Sequence, residues 1–210
     1  GTLGMSYRRL ANILLLTFLF HAMTDVTYPV VAEEYVKSQP VLPGEKCKTR
    51  PRKDWTEQER WVWAQVCEGR EADLNQREGN AFDPSKAEMW LRTRILRPAF
   101  LESILLHEPY LGALPHRGVR IKGAWFIEAV DLSEATLTKP VMLNGCRFDE
   151  DVSLSHLETP HWISLAGSAF HGVLSMHRLQ VGGSLRLNAG ARFYKEVQLS
   201  GAIIGDVLAI

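Results

Sequence analysis

From Val119 to Ile210 the chain is a tandem repeat, and no other feature constrains its fold so tightly. Cut into units of eleven, the stretch reads VRIKGAWFIEA, VDLSEATLTKP, VMLNGCRFDED, VSLSHLETPHW, ISLAGSAFHGV, LSMHRLQVGGS, LRLNAGARFYKE, VQLSGAIIGDV and LAI, the seventh unit carrying one extra residue. The third position is apolar throughout: Ile121, Leu132, Leu143, Leu154, Leu165, Met176, Leu187, Leu199 and Ile210. Position 1 is apolar as well. Two apolar residues with one between them point the same way only on an extended strand. Position 6 is mostly small (Ala124, Ala135, Cys146, Ser168, Ala191, Ala202), and position 8 is usually larger and apolar. Turn-forming Gly, Asn, Ser, Asp and Pro collect between these pairs. Each unit therefore reads as two short strands joined by tight corners. Eleven residues can also be a helical period, but the glycines, prolines and same-face pairs oppose a helix.

Alternate units match better than neighbours. Phe126, Phe148, Phe170 and Phe193 recur at intervals of 22, 22 and 23, while the even units place Leu137, Thr159, Val181 and Ile204 at that position. The period is thus 22, two units to a coil. Stacked at the inter-strand spacing of about 4.8 Å, roughly four coils give a rod of roughly 20 Å with one internal column of phenylalanines. The expected fold is mainly β: a β-helix, or solenoid, behind an N-terminal α-helical cap region.

The triads Ala135-Thr136-Leu137, Cys146-Arg147-Phe148, Ser168-Ala169-Phe170 and Ala202-Ile203-Ile204 place a small residue two positions before a central Leu, Phe or Ile. In this the chain resembles the pentapeptide-repeat proteins, and the resemblance implies a right-handed, four-sided β-helix. Units here alternate five and six residues, so the coil is longer than four five-residue units. This marks a divergent relative and leaves a strictly square cross-section open. The segments Phe82-Asp83-Pro84, Pro98–Glu102 and Gly118–Leu137 are also similar to bacterial repeat proteins of no assigned activity.

Ahead of the repeats, residues 1–32 read as a tag remnant (1–4) followed by a signal peptide. Arg8 and Arg9 form a basic start, Ile13–Phe20 an apolar core, and Val30-Val31-Ala32 a cleavage site. The apolar run is far shorter than the roughly 20 residues that span a bilayer, so cleaved export is favoured over an uncleaved anchor. The expected location is the periplasm or the cell envelope. Residues 33–54 read as a linker with the basic run KCKTRPRK, a solvated tether in preference to a lipid or nucleic-acid contact. Residues 55–117 read as a helical capping region. Thr56 and Glu59 form a capping box, Val62, Trp63, Val66 and Cys67 follow at helical spacing, and Gly69 ends the helix. Asp83-Pro84 predicts a second helix start, and Pro98 a third helix running through Leu106. The repeats occupy 118–210. They stop in mid-unit at Ile210 with no cap after it, which predicts truncation or self-association through an open coil.

Lys plus Arg number 24 and Asp plus Glu number 24. The zero net charge opposes nucleic-acid binding and the strong negative charge of a DNA mimic alike. Four histidines, His156, His161, His171 and His177, fall in the repeats; a metal site needs several ligands converging at about 2 Å, and solvated corners are the simpler reading. Asp149-Glu150-Asp151, Asp131 and Glu158 are candidate carboxylates for acid–base work on a polysaccharide. They sit at irregular positions, with no basic groups spaced for a uronate. Cys47 and Cys67 can pair in an oxidising compartment, and Cys146 reads as buried. The tryptophans read as core before sugar platforms. No catalytic, cofactor-binding or metal residue is assigned, and no cofactor or small-molecule substrate is identified. The expected function is a non-catalytic structural or protein-interaction scaffold, membrane-associated or bound to a protein partner. A β-helix carbohydrate-active enzyme, lyase or hydrolase, is the first alternative and a DNA-mimicking pentapeptide protein the second.

Overall fold

The structure, a computed structural model, describes residues 47–210. The predicted signal segment and most of the predicted linker lie outside these residues. From Val119 onward the chain winds as a parallel β-solenoid of about four turns with a 22-residue coil. Each coil has four sides, and like sides stack into four parallel sheets. The first face runs Ala72–Asp73, Val119–Lys122, Val141–Asn144, Ile163–Ser164, Leu185–Arg186, Leu208–Ala209. The second runs Trp125–Phe126, Arg147–Phe148, Ala169–Phe170, Arg192–Phe193, and the third Val130–Asp131, Val152–Ser153, Leu174–Ser175, Val197–Gln198. The fourth comprises Glu158–Thr159, Gln180–Val181 and Ile203–Ile204, extended by a bridge from Thr136 to Glu158.

The interior is apolar and stacked in register. Phe126, Phe148, Phe170 and Phe193 form the expected column, with ring centroids 5.0, 4.8 and 5.3 Å apart and planes within 4°, 6° and 11° of parallel. Isolated aromatic pairs prefer offset or edge-on contacts. Here the backbone ladder sets the ring spacing, at about the strand repeat of 4.8 Å. On the even side, volume is shared between positions 6 and 8. Leu157 and Leu179 fill position 6 and are fully buried, and there position 8 shrinks to Thr159 and Val181. Ala135 and Ala202 at position 6 are matched by Leu137 and Ile204. A close-packed interior requires that trade. Ser168 is a polar member of the interior: its buried hydroxyl accepts from Cys146 N–H and donates to the Leu143 carbonyl, both at 3.0 Å.

Position 5 of every unit turns a corner with positive φ. Glycine supplies it at Gly123, Gly145, Gly167 and Gly201, but Glu134, His156 and Arg178 adopt φ of 60°, 57° and 50°. The extra residue of the seventh unit is absorbed at the same corner, where Ala189 and Gly190 are both left-handed. A side chain in this region costs roughly 1–2 kcal/mol. His156 is exposed, and its ring has no hydrogen-bond partner among the described residues. His156→Gly should therefore stabilise the coil by about 1 kcal/mol, read as a higher urea midpoint at unchanged slope.

The N-terminal part covers the first coil. Helix α1, Glu57–Cys67, starts on the predicted capping box, with Glu59 N–H donating to Thr56 Oγ1 and Thr56 N–H to Glu59 Oε2. Gly69 follows its end with φ 77°. Helix α2 is Leu74–Arg77, capped by Asp73. Helix α3 spans Pro98–Leu106 with proline in its first turn, as the sequence predicts, and α4 spans Tyr110–Ala113. The helix expected after Asp83-Pro84 is absent; two 3₁₀ turns, Ala87–Met89 and Arg92–Arg94, stand there instead. Asp83 Oδ1 accepts from Ser85 N–H and Oγ, closing a local turn, and its carboxylate also takes Arg192 from the coil. Val62, Trp63, Val66, Phe100, Leu101 and Ile104 join one core with Ile121 and Phe126. Ala72 and Asp73 pair in parallel with Ile121 and Lys122, and Ile95 bridges to Trp125. The first coil thus has a partnered edge on two faces, as solenoid ends require. Cys47 is disulfide-bonded to Cys67, and Trp63 Nε1 donates to Thr49 O at 2.8 Å, so the chain just before Trp55 is fastened to α1.

Candidate functional site

Outward residues alternate with the buried ones, so each face presents columns of side chains repeated coil by coil. The second face carries the most elaborate polar group. Trp125, Arg147 and Arg192 lie on its strands, with Asp149, His171 and Tyr194 just past their ends. Asp149 accepts from Trp125 Nε1 at 2.8 Å, and its other oxygen lies 2.6 Å from Arg147 Nε. Residues 82–90 lie across this face. Arg147 Nη1 donates to Pro84 O at 3.0 Å, Arg192 reaches Asp83 and Ser85, and Trp90 meets Trp125 edge-on with centroids 6.4 Å apart. Arg147 is thereby buried. His171 stacks on Tyr194 at 4.4 Å. Its pKa is lowered by burial and by the nearby Arg147, so the ring tends to the neutral form. These contacts clasp three coils to the cap; the carboxylate and the guanidinium neutralise each other and leave no charge directed at a ligand.

Three of the other carboxylates singled out in the sequence also bond within the coil. Asp151 accepts from Val173 N–H at 2.7 Å, Glu158 from Gln180 Nε2 at 3.0 Å, and Asp131 from Ser133 N–H at 2.9 Å. The bonds from Ser133 keep Asp131 below the usual carboxylate pKa. Asp131, Asp151 and Glu158 each turn to their own partner and do not converge as an acid–base pair, and the Glu150 side chain has no hydrogen-bond or ion-pair partner among the described residues. The histidines disperse likewise. His156 and His177 do lie on adjacent turns, His156 N–H donating to His177 O, yet His177 Nε2 pairs with Gln198 and His161 Nε2 with Thr138 O. Among the described residues no group of three or more His, Cys, Asp or Glu is placed to hold a metal ion. Cys146 is buried, and burial pushes its thiol pKa up to about 12. Trp55, Trp63 and Trp90 are core, whereas Trp162 is only half-buried on the first face.

Among the described residues the fourth and first faces each carry a concavity. On the fourth face a groove of about 330 Å³ is lined by Thr136, Glu158, Pro160, Gln180, Gly182, Ile203 and Gly205 among others. Its floor is backbone: a Cβ added to Gly182 would lie 2.9 Å from Pro160 O, and one on Gly205 2.3 Å from Gly182 O. Ile203 stands on it 62% exposed. On the first face a hollow of about 420 Å³ is lined by His116, Arg117, Arg120, Pro140, Met142 and Trp162. The sequence shows no basic residues spaced for a single ligand. The coil nevertheless brings Arg120, Lys122 and Arg186 to this one face. Their signal is hidden because they occupy positions 2 and 4 of units far apart in sequence. No family model matches the chain, nor does any curated protein or solved structure.

Proposed function

We propose that the chain is a non-catalytic protein-interaction scaffold of the bacterial cell envelope, and a divergent member of the pentapeptide-repeat-like β-helices. The groove on the fourth face carries this reading. It is a long, shallow surface with bare backbone at Gly182 and Gly205 and an apolar side chain, Ile203, standing clear of it, shaped to receive an extended segment of another protein. The four-sided coil with small residues two positions before the Phe column supports the family reading. The export pattern in residues 1–32 and the Cys47–Cys67 disulfide support an oxidising compartment outside the cytoplasm.

The test is capture from envelope extract with the whole chain and with Ile203→Asp. Ile203 is exposed, so the substitution should change stability by less than about 0.5 kcal/mol. Proteins retained by the parent chain and lost from Ile203→Asp support the groove as the docking surface. An identical retained set from both chains refutes it.

A further inference from the structure

The hollow on the first face combines arginines with an apolar floor and an indole. Along this face Arg120, Met142, Ser164 and Arg186 stand in one register column. The outward positions of its coil strands hold Arg120, Lys122 and Arg186 and no carboxylate. Arg120 is paired with Glu71 of the cap at 2.8 Å, and Lys122 with Asp73 at 3.5 Å. Arg117 and Arg186 are exposed and have no acidic partner among the described residues. Arg117 lines the hollow beside an apolar floor of Pro140, Met142 and Trp162, and Arg186 stands outside it on the same face. The indole N–H groups of Trp63, Trp90 and Trp125 are all bonded. That of Trp162, like those of Trp55 and Trp61 in the cap, has no partner among the described residues, and its ring is half-buried beside the hollow.

We infer that this face binds an acidic saccharide of the uronic-acid type. An aromatic ring with a free N–H beside it suits a sugar, which offers an apolar C–H face and hydroxyl acceptors together. A guanidinium suits a carboxylate, which it can take in a bidentate pair. Arg186 lies two coils beyond Met142, roughly 10 Å along the axis, so one free cation lines the hollow and a second stands farther along the same face. That arrangement fits a chain with a carboxylate on successive rings. A single-stranded nucleic acid also combines rings with charge, but the zero net charge and the disulfide both disfavour it. This site lies on a different face from the groove and does not depend on it.

The experiment is calorimetric titration of the full chain with oligogalacturonate and oligomannuronate at low salt. A neutral maltooligosaccharide of equal length and a short single-stranded oligonucleotide serve as comparisons. At least one uronate oligomer should bind, with affinity falling as salt rises, and the neutral sugar should bind at least tenfold more weakly. Arg117→Ala combined with Arg186→Ala should weaken uronate binding tenfold or more at an unchanged melting temperature, since both residues are exposed. Trp162→Phe should weaken it while keeping the ring packed. Absence of binding by both uronates overturns the inference. So does equal binding of the neutral sugar, tighter binding of the oligonucleotide, or an arginine double variant that binds like the parent.

Discussion

Phe148→Ala should lower the stability of the coil by about 3–5 kcal/mol, measured by urea denaturation. The ring is 1% exposed and lies between Phe126 at 5.0 Å and Phe170 at 4.8 Å. Its removal opens a void faced by an aromatic ring on each side. A core can recover part of such a loss by collapsing, but this one is prevented from doing so. Arg147 N–H donates to Ala124 O and Asp149 N–H to Phe126 O, both at 2.9 Å, and His171 N–H donates to Phe148 O at 2.9 Å. Those ladders hold the coils at their spacing whatever fills the space between them. Phe193, only half-buried at the last described coil, should cost less when truncated. A loss below about 0.5 kcal/mol for Phe148→Ala, typical of surface sites, would place the ring in solvent and the register in error.

Glu59→Ala should cost about 1.5–3 kcal/mol, the usual range for hydrogen bonds to a charged group, because its partner Arg97 is 39% exposed and can turn to water. The Glu59 carboxylate is fully buried. It accepts from Thr56 N–H at 2.8 Å, from Arg97 N–H at 3.0 Å, and from the Arg97 guanidinium at 2.9 and 2.6 Å. One side chain thus closes the capping box of α1 and fixes the start of α3. Burial alone would raise its pKa, but the Arg97 guanidinium and the Thr56 and Arg97 amides outweigh burial and hold it below the ordinary value. A carboxylate whose pKa is depressed on folding stabilises the fold above its unfolded pKa, about 4.3 for glutamate, and loses that contribution as pH falls through the folded value. The parent chain should therefore lose stability as acid is added below about pH 4.3. Glu59→Gln should start lower and show a shallower acid limb. Equal acid slopes for parent and Glu59→Gln would show that the pair does not set the acid response.

What the sequence reveals of this fold is local or periodic. The capping box at Thr56 and Glu59 depends on residues three apart, the start of α3 on Pro98 alone, and the phenylalanine column on a repeat that any coil of fixed length must respect. The segment at Asp83-Pro84 has the same local signature as a helix start, yet Asp83 serves Ser85 and Arg192, the latter 109 residues away. Tertiary partners override the local preference there. The left-handed corners at Glu134, His156 and Arg178 are invisible for a related reason: the stacking of coils, such as His156 N–H on His177 O at 2.7 Å, imposes a conformation their side chains disfavour. The features on the faces are the least legible. Arg117, Arg120, Trp162 and Arg186 share a surface only because the coil closes every 22 residues. The carboxylates that look like candidate chemistry in the sequence, Asp149 above all, are spent on indole and guanidinium contacts.

The coil itself, two eleven-residue units to a turn, is the claim on which the faces, the groove and the cationic hollow all rest. Cysteine cross-linking tests it directly. Ser153 and Ser175 are aligned partners on the third face, at a strand spacing of about 4.8 Å that lies within the disulfide range of about 4.4–6.8 Å between Cα atoms. A chain carrying Ser153→Cys and Ser175→Cys should form that disulfide on mild oxidation, identified by peptide mapping without reductant. Ser175→Cys with Arg186→Cys, eleven residues apart but on the third and first faces, should not. Cross-linking of the eleven-residue pair and not of the 22-residue pair would contradict the coil.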